Sequence, residues 1–194
     1  MHLLSHLSCK TIILKLYGIQ PKLESKQNVL NYCNEMGLKK NNLYSFTDST
    51  VLYNFYKSGI KIPEAYFFSK NKRYIDYRSE PNQCNGGVLI FMDSLFSKKT
   101  EISNDSVLFN KLIENIVPLS QNSIMFPNEA DCDFYAIFYW AKFLGHNNKL
   151  KLLEWERKIS ELQAKGINIC HIKITTDFMD YYGFTEKEIE TMIK

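Results

Sequence analysis

An α/β fold, with a mixed sheet of about five strands and helices on both faces, follows from three features of this chain. Apolar residues recur with a period near two in some segments and at helical spacing in others, and the two patterns interleave. Residues 133–175 read as strand, helix, strand, a unit whose two strands must lie parallel. Residues 63–78 read as a hairpin and contribute antiparallel strands.

The elements follow from local chemistry. In "SKQNVLNYCNEMGL", Val29, Leu30, Cys33 and Met36 share one helical face, with Ser25 as the N-cap and Gly37 as the stop. "NNLYSFT" is a short strand. The helix in "TDSTVLYNFYKSGI" starts at Asp48 or Thr47, buries Val51, Leu52, Phe55 and Tyr56, and ends at Gly59. "PEAYFFSK" and "RYIDYR", separated by Asn71-Lys72, form the hairpin, and "VLIFMDSLF" is read as a buried helix.

Another helix is expected over "SVLFNKLIENI", where Asn104 or Asp105 can cap and Pro118 ends the pattern. "LSQNSIMFPNEAD" is then a connection. "DFYAIFYW" is almost continuously apolar, which suits a strand covered on both faces. Leu152, Trp155, Ile159 and Leu162 mark the next helix, with Asn147 or Asn148 as its cap and Gly166 just past its end. "NICHIKITT" is a strand, and Thr185 with Glu188 stands in capping-box spacing before the last helix.

Composition narrows the function classes. The chain has 194 residues, 45% apolar and 23% charged, enough for a real core. Its formal charge of +3 is scattered, with no basic stripe interleaved with aromatics, so nucleic acid is not the expected partner. No apolar run reaches the roughly 18–20 residues of a membrane span. The five cysteines, Cys9, Cys33, Cys84, Cys132 and Cys170, form no CxxC and no zinc-type spacing, and no cofactor is implied.

Cys33 and Cys170 fall on apolar patterns and read as buried thiols. Cys132 lies between Asp131 and Asp133, whose charges oppose a thiolate. Cys84, in the loop "PNQCNGG", is the first candidate for an exposed, reactive thiol, with a structural loop residue or half of a disulfide as the competing reading. In an oxidising compartment Cys33, Cys84, Cys132 and Cys170 form an even set with three possible pairings, which spacing does not decide. His146 has no Ser or Cys beside it and reads as a polar loop residue, His171 as packed, and Asp177, Asp180 and Glu186 as solvated carboxylates.

The opening residues, 1–20, are set apart as an N-terminal segment. "MHLLSHLSC" resembles the end of a bacterial lipoprotein signal with Cys9 as the lipidated residue, although a basic start is missing and the apolar stretch is short. The resemblance implies an extracytoplasmic protein, lipid-anchored to a bacterial membrane and touching it only through that anchor. The competing reading is an ordinary N-terminal element of a cytoplasmic protein.

"YWAKFLGHNNK" is similar to the active-site segment of thioredoxins, a strand ending in Phe-Trp-Ala followed by Trp-Cys-Gly-Pro-Cys-Lys and a helix. Tyr139, Trp140 and Ala141 match the strand end, Phe143 the second tryptophan and Gly145 the glycine. The two cysteines fall on Leu144 and Asn147. "IKITTDFMDYYGF" resembles a further family segment through Asp177, Tyr182 and Gly183. "YKSGIKIPEAYFF" resembles the segment whose cis-proline lies against the active-site loop, so Pro63 is the candidate cis-proline.

The proline segment here precedes the Trp-Ala strand, whereas in the family it follows. The resemblance therefore implies a thioredoxin-like sheet with its halves in permuted order, in one composite domain over 21–194. The arrangement resembles thioredoxin-like lipoproteins of the Bacteroidetes type, mostly of unassigned function. Lacking both thiols, the loop implies a redox-inactive binding or scaffold protein that engages a peptide or protein partner. The expected groove is lined by Ile62, Pro63, Trp140, Phe143 and Leu144, with Gly145 and His146 at its loop. The alternative is a thiol-dependent oxidoreductase whose nucleophile has moved, to Cys84 first or to Cys132 second.

Overall fold

The apolar run at residues 134–140 becomes a central strand, and everything else is arranged around it. A computed structural model of the chain describes residues 19, 21–78, 85–95, 107–121, 123 and 132–193. The first half supplies β1 (Leu23–Glu24), α1 (Lys26–Glu35), β2 (Leu43–Phe46), α2 (Ser49–Lys57), β3 (Glu64–Ser69), β4 (Tyr74–Ile75) and α3 (Val88–Ser94). The second supplies α4 (Val107–Glu114), β5 (Ile116–Pro118), β6 (Phe134–Trp140), α5 (Gly145–Ala164), β7 (Ile169–Thr175), β8 (Phe178–Met179) and α6 (Glu186–Met192).

Six strands form one mixed sheet in the order β4-β3-β6-β7-β2-β5. β6, β7 and β2 run parallel, while β3, β4 and β5 each run antiparallel to their neighbour. Both halves of the chain therefore contribute strands to the same layer. β1 and β8 pair parallel in a separate two-stranded sheet, with Leu23 opposite Phe178 and Glu24 opposite Met179.

Side chains of β6 alternate between the two faces, as the period of a strand requires. Phe138 meets Trp155 of α5 at 5.1 Å between ring centroids, and Trp140 stacks on Tyr32 of α1. On the opposite face Tyr135 meets Phe109 of α4 and Tyr139 meets Phe55 of α2. Helices thus cover both faces, and β6 is buried along nearly its whole length.

The expected caps form. Ser25 Oγ accepts the Asn28 N–H at 3.1 Å, Asp48 Oδ1 accepts those of Thr50 and Val51, and Thr185 with Glu188 completes a capping box. Gly37 ends α1 at φ 73°, a backbone shape that costs a glycine little, and the N–H of Leu38 returns to the Cys33 carbonyl.

Three expectations need correction. The helix expected to run to Pro118 stops at Glu114, and Ile116-Val117-Pro118 pairs with β2 as an edge strand. Proline is tolerated there because an edge strand leaves one side of its backbone unpaired. The last long helix starts at Gly145, ahead of both asparagines expected to cap it. Cys170 is not a free thiol: it is bonded to Cys132 across the starts of β7 and β6, with Cα atoms 5.6 Å apart. Cys33 stays reduced and buried. Cys9 and Cys84 lie outside the described residues.

One charged pair is sealed beneath α5. Lys173 of β7 is 0% exposed, and its ammonium donates to the Lys39 carbonyl at 2.5 Å and to the Glu156 carboxylate. His171 Nε2 stands 4.0 Å from the same carboxylate. Burial pushes the Glu156 carboxyl up, but the neighbouring His171 and the charge and hydrogen bond of Lys173 outweigh it, leaving the group below its usual range. Burial holds His171 below its usual range, so it stays neutral at pH 7.

Two stability outcomes follow. Cys132 and Cys170 are 38 residues apart, so breaking their bond with reductant, or in Cys132→Ser/Cys170→Ser, is expected to cost about 3–4 kcal/mol in urea denaturation. Glu156→Ala leaves the Lys173 charge buried without its counter-ion and should cost about 3–5 kcal/mol. The double variant Glu156→Leu/Lys173→Met should lose clearly less, because neither charge then remains to be desolvated.

Candidate functional site

Among the described residues, the turn from β6 into α5 gathers one cluster of buried polar groups. After Ala141, Lys142–Leu144 form a single 3-10 turn, and Gly145 reverses into α5 at φ 70° and ψ −152°. That region of backbone space is open to glycine and strained for any side chain bearing a Cβ. α5 has no side-chain N-cap, because its N-cap position is Leu144.

Asp177 supplies the acceptors that the turn lacks. Its Oδ2 accepts the Lys142 N–H at 2.8 Å and the Thr175 hydroxyl at 2.5 Å, and its Oδ1 accepts the Phe143 N–H at 3.2 Å. The residue is 0% exposed, which overturns the expectation of a solvated carboxylate; Asp180 and Glu186 are exposed as expected. Burial pushes the Asp177 carboxyl up to about 6, against the pull of its three hydrogen bonds, with the nearby Glu24 charge adding to the rise. Glu24, also buried, is tied to the same turn by the Lys142 ammonium at 2.7 Å.

The proline segment reaches the same end of the sheet. The Ile62–Pro63 peptide bond is cis. The β3–β6 ladder closes with Glu64 opposite Tyr139, so Pro63 comes next to the Trp140 end of β6. Asn85 links the two pieces: its amide donates to the Pro63 carbonyl, and its Oδ1 accepts the Lys151 ammonium of α5 at 2.5 Å. Glu64 is anchored just after the proline by Arg78 at 2.5 Å and the Tyr77 hydroxyl at 2.7 Å.

Ile62, Pro63, Leu144 and Gly145 are half-buried and stand at this end of the molecule. Trp140 and Phe143 do not line a groove. Trp140 is 1% exposed under Tyr32 of α1, their rings 6.2 Å apart and 11° from parallel. Phe143 is 5% exposed and stacks on Phe178 of β8. Both rings belong to the core because α1 and the β1–β8 pair cover positions that the sequence pattern leaves open. The backbone of His146 lies in the first turn of α5; its side chain lies outside the described part.

Two buried polar atoms beside the turn have no hydrogen-bond partner among the described residues, Trp140 Nε1 and Asn148 Oδ1. The amide nitrogen of Asn148 instead donates to the Ala141 carbonyl at 2.5 Å, bracing the turn from within rather than capping the helix. No backbone hydrogen bond joins Lys61 or Ile62 to another described residue. A separate concavity of about 230 Å³, between α2 and α6, is lined by Tyr53, Phe184, Lys187 and Met192 among others.

Among the described residues no group of three or more His, Cys, Asp or Glu side chains could hold a metal ion, and no helix is long and apolar enough to cross a membrane.

Asp177 gives stability a defined dependence on pH. The folded chain holds its proton up to about pH 6, whereas the unfolded chain releases it near pH 4. Between these values the folded state binds more protons, so this residue's contribution falls as pH rises and levels off above about 6. The drop should approach roughly 3 kcal/mol. Subtracting an Asp177→Asn stability profile from the wild-type one, by urea denaturation from pH 4 to 8, should isolate that slope.

Comparison of the chain with family models, with curated proteins and with solved structures finds no significant match.

Proposed function

We propose that the chain is a redox-inactive, thioredoxin-like binding protein that docks an extended peptide or a protein segment beside Ile62 and Pro63. The observation that carries this reading is the strand order β4-β3-β6-β7, with the proline-led strand antiparallel to the strand that feeds the Lys142–Leu144 turn. A thioredoxin-like core in permuted chain order has this arrangement. The main chain of Lys61 and Ile62 has no backbone partner among the described residues, and strand-like pairing with a peptide needs free main-chain groups beside an apolar rim. Ile62, Pro63 and Leu144 supply that rim.

Leu144 and Asn147 stand where dithiol chemistry would need sulfur, and neither can form a thiolate or resolve a mixed disulfide. The Cys132–Cys170 bond lies at the far end of β6 from the turn, and disulfides persist in oxidising compartments. It supports an exported location, in keeping with the lipoprotein-like residues around Cys9.

A second reading, an oxidoreductase using Cys84, draws on one observation: its covalent neighbour Asn85 is bonded to the Pro63 carbonyl. Two experiments separate the readings. Positional-scanning hexapeptide mixtures added to the ¹⁵N-labelled protein should shift the amides of Lys61, Ile62 and Leu144, and Leu144→Asp should weaken binding by about tenfold or more. Signals that move only around Tyr53 and Met192, or not at all, would reject docking at the proline. An insulin-reduction assay should show no activity; activity lost in Cys84→Ser and kept in Leu144→Ala would favour the enzyme.

A further inference from the structure

Asp177 carries more of the Lys142–Leu144 turn than any other side chain around it. The turn has no side-chain cap of its own, and the N–H groups of Lys142 and Phe143 both end on this one carboxylate. The carboxylate is wholly enclosed by protein. A carboxylate can accept both N–H groups and the Thr175 hydroxyl at once, whereas a carboxylic acid has a hydroxyl that donates.

We propose that Asp177 is an acid-sensitive latch on the edge of the docking site. Ionised, it clamps the backbone of Lys142 and Phe143; on taking a proton from solvent it gives up one of those two bonds, and the turn loosens. Docking beside Ile62 and Pro63 is then tight at neutral pH and weak in acid. This regulation rests on the docking reading, but the latch itself can be tested without any ligand.

The surroundings set where the latch trips. From β1 it faces Glu24, whose negative charge opposes ionisation and is itself paired with Lys142 and, at 3.9 Å, with Lys22. From α1 it faces Tyr32 and Cys33, and from α2 Tyr56, whose hydroxyl donates to the Thr176 carbonyl. These three groups stay neutral at pH 7, because burial raises each of them further from ionisation. On its own stretch of chain Thr175 donates to the ionised form. Enclosure dominates, and the carboxyl sits at about 6.

The test is a pH titration, from 4.5 to 8, of the ligand-free protein labelled with ¹³C and ¹⁵N. The Asp177 side-chain carboxyl carbon and the amides of Lys142 and Phe143 should titrate together with a midpoint near 6, and amide exchange at both positions, corrected for its intrinsic pH dependence, should quicken below it. Thr175→Val removes a bond to the ionised form and should move that shared midpoint up by about one unit. Glu24→Gln removes a neighbouring negative charge and should move it down.

Asp177→Asn should abolish the transition at both amides. Amides that ignore pH while the carboxyl titrates would overturn the latch, as would amides that titrate unchanged in Asp177→Asn. Should that variant fail to fold, the opposed shifts in Thr175→Val and Glu24→Gln decide the matter. A latch that works in a protein blind to hexapeptides would leave the proposed docking at fault and the latch intact.

Discussion

The antiparallel ladder between β3 and β6 runs from Glu64 opposite Tyr139 to Ser69 opposite Phe134, and the molecule is organised by it. It joins two segments far apart in the chain and brings the cis-proline to the end of β6 where the turn into α5 begins. A slip of one residue would exchange the faces of β6, sending Phe138 and Trp140 toward α2 and α4 and Tyr135 and Tyr139 toward α1 and α5. The aromatic contacts on both faces oppose such a slip, because each ring has a partner of matching shape on only one side.

Polar groups inside this core are arranged in two ways. Lys173 and Glu156 neutralise each other and take up the free carbonyl of Lys39, so a costly burial is offset by direct bonds. Asp177 and Glu24 are held differently. Asp177 is satisfied chiefly by backbone N–H groups, and Glu24 by a lysine of the very turn those N–H groups belong to. The first arrangement fastens α5 to the sheet. The second makes the shape of one turn depend on the charge of one carboxyl.

Much of the scaffold was legible because the signals are local. Ser25, Asp48 and Thr185 sit within three residues of the N–H groups they cap, and the almost unbroken apolar run in "DFYAIFYW" reflects a strand enclosed on both sides. The parallel β6–α5–β7 unit was legible for similar reasons, whereas the approach of Pro63 to the Trp140 end of β6 was expected only through the resemblance to thioredoxins. What could not be read depends on partners distant in sequence. Leu23–Glu24 and Phe178–Met179 are too short to carry a period and become strands only by pairing with each other. The enclosure of Asp177 and of the Trp140 and Phe143 rings comes from α1 and β8, which no pattern around those residues announces. An apolar residue at a strand end looks the same whether it borders a groove or fills a core.

The outermost strands of the main sheet have a bearing on how the protein behaves when crowded. β4 is two residues long, and β5 is three and ends in Pro118, which has no N–H to offer. Among the described residues, neither of these two short strands offers a long row of unmet donors and acceptors on which a neighbouring molecule could build. Among the described residues, β4 and β5 are for that reason poor templates for a strand added from another copy.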